Sequence, residues 1–327
     1  MSARDMKAQA HRIHQEAVVI DGMNNALMSG DYFRSIMKAG ITATMVPVSI
    51  SATFRQTVDQ LSSLLKLVNE HQNRVSISRQ TEEIRQAKQE GKLGLILVLE
   101  DSRQIEDNLD LLRAFWELGI RRSQLVYVMQ NSMGCGKGER HDSGLTRLGV
   151  QAIKRMEELG ILVDLCHCAD RTLREAMEVA ERPVVLSHCN VRGAYAHPNN
   201  LTDDHLEMVA KNGGVIGIAS VPFYVAAEMP TIDQVIDHID YVKSRIGIDH
   251  VGIGTAIFEG HPLSFYDQFK LPEDIYGKPP WPWPKGIETI ERFPDLTQKL
   301  LERGYSEEDT KKVLGGNFMR VFRDVWG

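Results

Sequence analysis

The chain has 327 residues, 43% hydrophobic and 25% charged, with 38 basic and 44 acidic side chains that leave a net charge of −6. That length buries a large core and suits one barrel-sized domain, while the acidic balance excludes nucleic acid as an expected partner, since that calls for a basic face. The longest apolar runs are strand-sized, so no membrane span is expected. The polar, helix-patterned start lacks the apolar centre of a signal peptide, and four cysteines show no disulfide framework, so the cytoplasm is the expected compartment.

The first apolar run, AVVID (17–21), reads as a strand ending at Gly22 and the segment MNNA. A second strand, ITATMVPV (41–48), precedes a helix over 57–68 whose apolar residues recur at helical spacing. A further helix (80–90) leads to strand three, LGLILVL (93–99), which ends in Glu100. A helix near 107–117 and strand four, QLVYVM (124–129), follow, the latter ending in Gln130 and Asn131. A glycine-rich loop (132–144) and a helix (146–159) come next. Then ILVDLCHCAD (161–170), an amphipathic spacer (171–180) and RPVVLSHCNVR (182–192) form a strand–helix–strand unit. Thr202 is a plausible N-cap for the helix 203–211, whose two leading aspartates complement its dipole. Strand seven is VIGIA (215–219); after a helix at 231–246, strand eight is HVGIG (250–254). An aromatic, proline-rich loop and three helical segments close the chain.

Eight β-runs alternating with helices predict a (β/α)8 barrel, residues 1–327 forming a single domain with a C-terminal helical extension. A doubly wound sheet is the alternative; neither GCGKG (134–138) nor VGIG (251–254) has the dinucleotide-binding frame. In a barrel the carboxyl ends of the strands carry the chemistry. Those ends hold Asp21, Glu100, Gln130, His167 and His188, with Ala256 two residues beyond strand eight. A lone strand-end histidine is more often bonded to backbone; two on neighbouring parallel strands, joined by Glu100, make a three-ligand set that leaves a zinc position open for water or substrate. Cys166 and Cys168 alternate away from His167 and read as core.

With these residues in view, the sequence resembles the membrane (renal) dipeptidases. The matching pieces include VIDG (19–22), LE (99–100), GLTRLG (144–149), LGILVDLCH (159–167) and LSHCNVR (186–192). They continue through HPNNLTDDHL (197–206), NGGVIG (212–217), DHVGIG (249–254), FPDLT (293–297), RGYSEED (303–309) and GGNFMRVF (315–322). The resemblance implies zinc, a small-molecule dipeptide or amide substrate, and a homodimer. It makes Glu100 the bridge between two ions, gives His167 and His188 to the second ion, and sets Arg192 against the substrate carboxylate. It also contains departures. Met23 and Asn25 stand where the family has a His-x-Asp pair for the first ion, and neither replaces it well. Gln130, with Asn131 beside it, stands where a substrate-facing histidine is expected, and Ala256 where an acid is expected, with Glu259 nearby. The expected protein is therefore a hydrolase with one zinc or none. The alternative is a catalytically weak relative that binds a small carboxylate through Arg192. Seven aromatic residues between 258 and 285 (Phe258, Phe265, Tyr266, Phe269, Tyr276, Trp281 and Trp283) are expected to wall the mouth and to contribute to the dimer contact.

Overall fold

The computed structural model describes residues 3–269 and 271–327, except the side chains of Ala3, Gln268 and Phe269. Among the described residues there are nine strands: β1 (Ile20–Asp21), β2 (Ala43–Ser49), β3 (Val75–Ile77), β4 (Leu93–Leu99), β5 (Arg122–Gln124), β6 (Leu162–Asp164), β7 (Val185–Cys189), β8 (Val215–Ile218) and β9 (Val251–Ile253). Their order is β1-β2-β4-β5-β6-β7-β8-β9, all pairs parallel, with β3 added beside the start of β4. The first and last strands meet through bonds from Gly22 N to Ile253 O (2.8 Å) and from Ala256 N to Met23 O (2.8 Å), so the sheet curls into an eight-stranded parallel barrel. Helices follow most strands and cover its outside.

Strand alternation explains the two apolar layers. Along β4, Leu95, Leu97 and Leu99 pack outward with the helices, whereas Ile96 and Val98 join the inner cluster with Ile20, Leu162 and Val185. The same parity carries Glu100 to the lumen side. The last helix, Asn317–Trp326, contributes Phe318 and Phe322 to this inner cluster. Phe318 comes so close to Gly22 and Gly252 that a Cβ at either would lie 2.6 Å from its ring. Both positions therefore need glycine to admit the plug.

Several expected boundaries shift. The strand expected at 124–129 is instead Arg122–Gln124; residues 125–129 have left the ladder. The run at 17–21 contributes only Ile20–Asp21 to a ladder, the helix Gly30–Lys38 went unread, and β3 is extra. Thr202 caps the helix Asp203–Asn212 as expected, its side chain accepting from His205 N.

Candidate metal centre

The three expected donors meet at the carboxyl end of the barrel. Nε2 of His167 and Nε2 of His188 are 3.0 Å apart, and His188 Nε2 lies 3.6 Å from Glu100 Oε1. Each arrives by a different local device. Glu100 continues the inward parity of β4. His167 follows β6 in a left-handed conformation (φ 62°), an uncommon backbone for a side-chain-bearing residue and one often found at functional positions. In β7 the register slips between Leu186 and Cys189, and this irregularity brings consecutive residues, Ser187 and His188, into the site.

Burial governs the charge of all three. Glu100 is almost fully enclosed, and desolvation raises its carboxyl from 4.5 to about 8, although the Arg122 guanidinium pulls the other way. Desolvation lowers His167 from 6.5 to about 3, and lowers His188 well below the ordinary range, so both imidazoles are neutral donors. Asn25 Nδ2 donates to Glu100 Oε1 at 3.4 Å, while Oε2 is buried without a partner. A buried carboxylate beside two neutral imidazoles, with one oxygen near His188 and the other without a partner, fits one metal ion. Met23 and Asn25, a thioether and an amide, do not fit a second.

Behind His188 lies a buried chain. Ser187 Oγ donates to Asp164 Oδ2 at 2.6 Å and sits 2.8 Å from His188 Nδ1, and Asp164 pairs with the fully buried Arg122. The hydroxyl's single proton is committed to Asp164, so it accepts from Nδ1–H of His188. That fixes the tautomer with a bare Nε2 towards Glu100. A second donor group among the described residues, Asp164, Cys166 and His188, is less suited to an ion because Asp164 is held by Arg122 and Ser187. Cys166 and Cys168 are buried in the outer core as expected, and Cys189 Sγ lies 3.2 Å from Cys166 Sγ.

The space at the donors measures about 30 Å³, room for one or two waters. Tyr127, Phe223, Tyr224, Phe258, Tyr276, Trp281 and Trp283 wall it, so the aromatic loop does cover the mouth, while the Phe269 side chain lies outside the described residues. A larger hollow of about 550 Å³ lies between Val46–Ser49 and residues 59–67 of the following helix, and shares only Asn25 with it.

The other expected residues are placed elsewhere. Gln130 is exposed, and its amide oxygen meets Ser143 Oγ at 3.5 Å. Asn131 organises its own loop, donating to Asp101 and to Leu125 O and accepting from Met133 N and Gly134 N. Neither lines the cavity; Tyr127 and Val128 do, and the Tyr127 ring packs edge-on against His167 with centroids 4.9 Å apart. Because β5 ends at Gln124, the chain reaches the mouth three residues before Gln130. Arg192 is outside the lining as well, its guanidinium on Asp170 (2.8 Å) and Pro198 O (2.7 Å). Ala256 lines the cavity with φ 51°, and Glu259 is turned to Ile290 N and Tyr32.

A parallel (β/α)8 barrel with two histidines and a glutamate at its carboxyl mouth defines the class of metal-dependent hydrolase barrels. The chain belongs to one family within it: the model described as Membrane dipeptidase (Peptidase family M19) matches residues 7–273 and 280–326. The dipeptidase verJ of Clonostachys rogersoniana is 29% identical over 276 residues, covering 84% of this chain and 66% of that protein. The dipeptidase aclJ of Aspergillus oryzae is 32% identical over 240 residues, 72% of this chain and 52% of that protein. The chain thus spans less than two thirds of the length of these curated relatives. A solved structure of an amidohydrolase from Pseudomonas aeruginosa is 33% identical, with a TM-score of 0.92 over 97% of this chain and 99% of that one. No helix among the described residues is long and apolar enough to cross a membrane.

Proposed function

We propose that this protein is a dipeptidase-like hydrolase with a one-zinc site, acting on a dipeptide or another small amide through Glu100, His167 and His188. One observation carries the reading. Two neutral imidazole nitrogens 3.0 Å apart face the buried Glu100, whose Oε2 has no partner, inside an aromatic-walled cavity. What zinc supplies when bound is Lewis acidity towards an amide carbonyl and towards water. The chain's own groups do the rest. Ser187 and Asp164 hold His188 in the ligating tautomer, and Asn25 donates to Glu100 Oε1 and steadies the carboxylate beside His188. Tyr127, Phe223 and Trp281 keep bulk water from the donors. Glu100 is the only carboxylate among the lining residues, so a proton moved there by a carboxyl group moves through Glu100. The reading extends to a cytoplasmic homodimer, with the aromatic loop near the contact; a monomer by light scattering at micromolar concentration would remove that extension.

Elemental analysis of protein purified without chelator tests the site. About one zinc per chain is expected, and two ions, or none after zinc is supplied, would overturn it. Ala256 at the cavity wall favours a second reading, a poorly catalytic binder of a small ligand, because no second acid lines the site. A panel of simple dipeptides separates the two: turnover near a typical enzyme's, about 10 s⁻¹, excludes the binder.

A further inference from the structure

The barrel lumen carries a cation of its own beside the donor set. Arg122, on β5, has no exposed surface and pairs with the equally enclosed Asp164. It donates to Ser187 Oγ at 3.2 Å, and its Nη2 lies 3.3 Å from Sδ of Met23. The side chain therefore reaches from β5, past Asp164 on β6 and Ser187 on β7, to Met23 in the segment after β1. Asn25 lies in that same segment, its amide on Glu100 Oε1. A guanidinium cannot be deprotonated under ordinary conditions and is weakly hydrated, so it tolerates this burial where a lysine would lose its charge.

We propose that Arg122 is the resident cation of this site: it supplies positive charge on the Met23 side of Glu100 and thereby excludes a second metal ion there. The inference rests on the one-zinc reading of Glu100, His167 and His188. The position of Arg122 supports it independently of the donor chemistry. Its contact with Met23 means that the side chain bounding the would-be second site is already touching a positive charge. Asp164 pairs through Nη1, so a divalent ion against Met23 would stand nearer to Nη2 than to the balancing carboxylate and would meet net repulsion in a low-dielectric interior. A thioether at residue 23 also fits: it accepts weakly from the guanidinium and adds no anion that would draw a second ion in.

The test installs good donors and counts ions. In Met23→His/Asn25→Asp, dialysed against zinc and analysed for metal, no gain over the parent is expected while Arg122 is present. In the same variant carrying Arg122→Gln, which keeps amide donors for Asp164 and Ser187 but removes the charge, a gain of about one equivalent is expected. Arg122→Met/Asp164→Asn gives a second, charge-neutral background should the glutamine variant not fold, as judged by circular dichroism. A gained ion with Arg122 in place overturns the proposal, and so does the lack of a gain in the charge-neutral Arg122→Met/Asp164→Asn background, where no unpaired Asp164 can draw an ion by itself. The parental zinc count reports separately on the one-zinc reading. A parent with no zinc sinks that reading, whereas this proposal turns only on the difference between backgrounds.

Discussion

The most direct consequence of burying Glu100 is a pH-dependent stability that one substitution abolishes. In chelator-treated protein the folded state holds its carboxyl at about 8 against an ordinary 4.5, because enclosure penalises the charge more than Arg122 and Asn25 favour it. The folded-state value is raised, so the stabilising effect of the proton is complete below about pH 4.5 and is lost as pH rises to about 8. The full rise corresponds to about 5 kcal/mol. Over the narrower range from about pH 6.5 to 8, where the unfolded chain carries no proton on this group, the loss is roughly 2 kcal/mol, about 1.4 kcal/mol per pH unit. The histidines titrate on the other side: His167 and His188 are depressed, so they cost stability only as pH falls below 6.5. Asp21, raised to about 7 by its own burial, adds to the slope in both proteins and cancels in the comparison. Glu100→Gln is nearly isosteric and cannot ionise. Urea unfolding at a series of pH values should therefore show the wild type losing about 2 kcal/mol more than the variant across that range. Parallel stability curves for the two proteins would refute the account and mean that Glu100 is ionised and well solvated in the fold.

Other expectations are more local. His188→Ala should remove the zinc and Met23→Ala should leave it in place, as read by elemental analysis after gel filtration; the reverse pattern would relocate the site. Ser187→Ala should weaken zinc about 10- to 100-fold in a competition titration, because the hydroxyl that fixes the His188 tautomer is gone; unchanged affinity would remove the orienting chain from the argument. Phe318→Ala should cost about 3–5 kcal/mol in denaturant unfolding, since the ring is fully buried between Gly22 and Gly252. A cost below about 1 kcal/mol would mean that the last helix does not plug the barrel.

The fold was legible because its signals are periodic and redundant. Runs such as LGLILVL, buried on both faces, announce parallel strands, and in β4 the period of two extends to Glu100 without interruption. Strand ends are less secure. LVYVM has the composition of a strand, yet the ladder there ends at Gln124; of the residues beyond it Leu125 and Val126 stay in the outer core, while Tyr127 and Val128 line the cavity. Nothing in local composition distinguishes an apolar residue that pairs in a sheet from one that leaves it to line a pocket.

That difference of a few residues decides which side chain faces the substrate space. Counting from an assumed strand end at Met129 puts Gln130 and Asn131 at the mouth. Counting from Gln124 puts Tyr127 there, beside His167, and leaves Asn131 tying down the following turn. The histidines escaped this error because each ends a run whose parity or irregularity is short. Arg192 and Arg122 show the complementary limit. Arg192 was set against a substrate carboxylate by the family resemblance alone, and Asp170 holds it away from the cavity. Arg122, one of two adjacent arginines just before the expected strand, drew no reading. Only the closed barrel shows that Arg121 turns to backbone oxygens of Arg79 and Trp116, while Arg122 turns inward to Asp164, Ser187 and Met23. A charge that no pattern marks as internal thus lies buried against Met23, one of the two positions where the family resemblance leads one to expect a His-x-Asp pair.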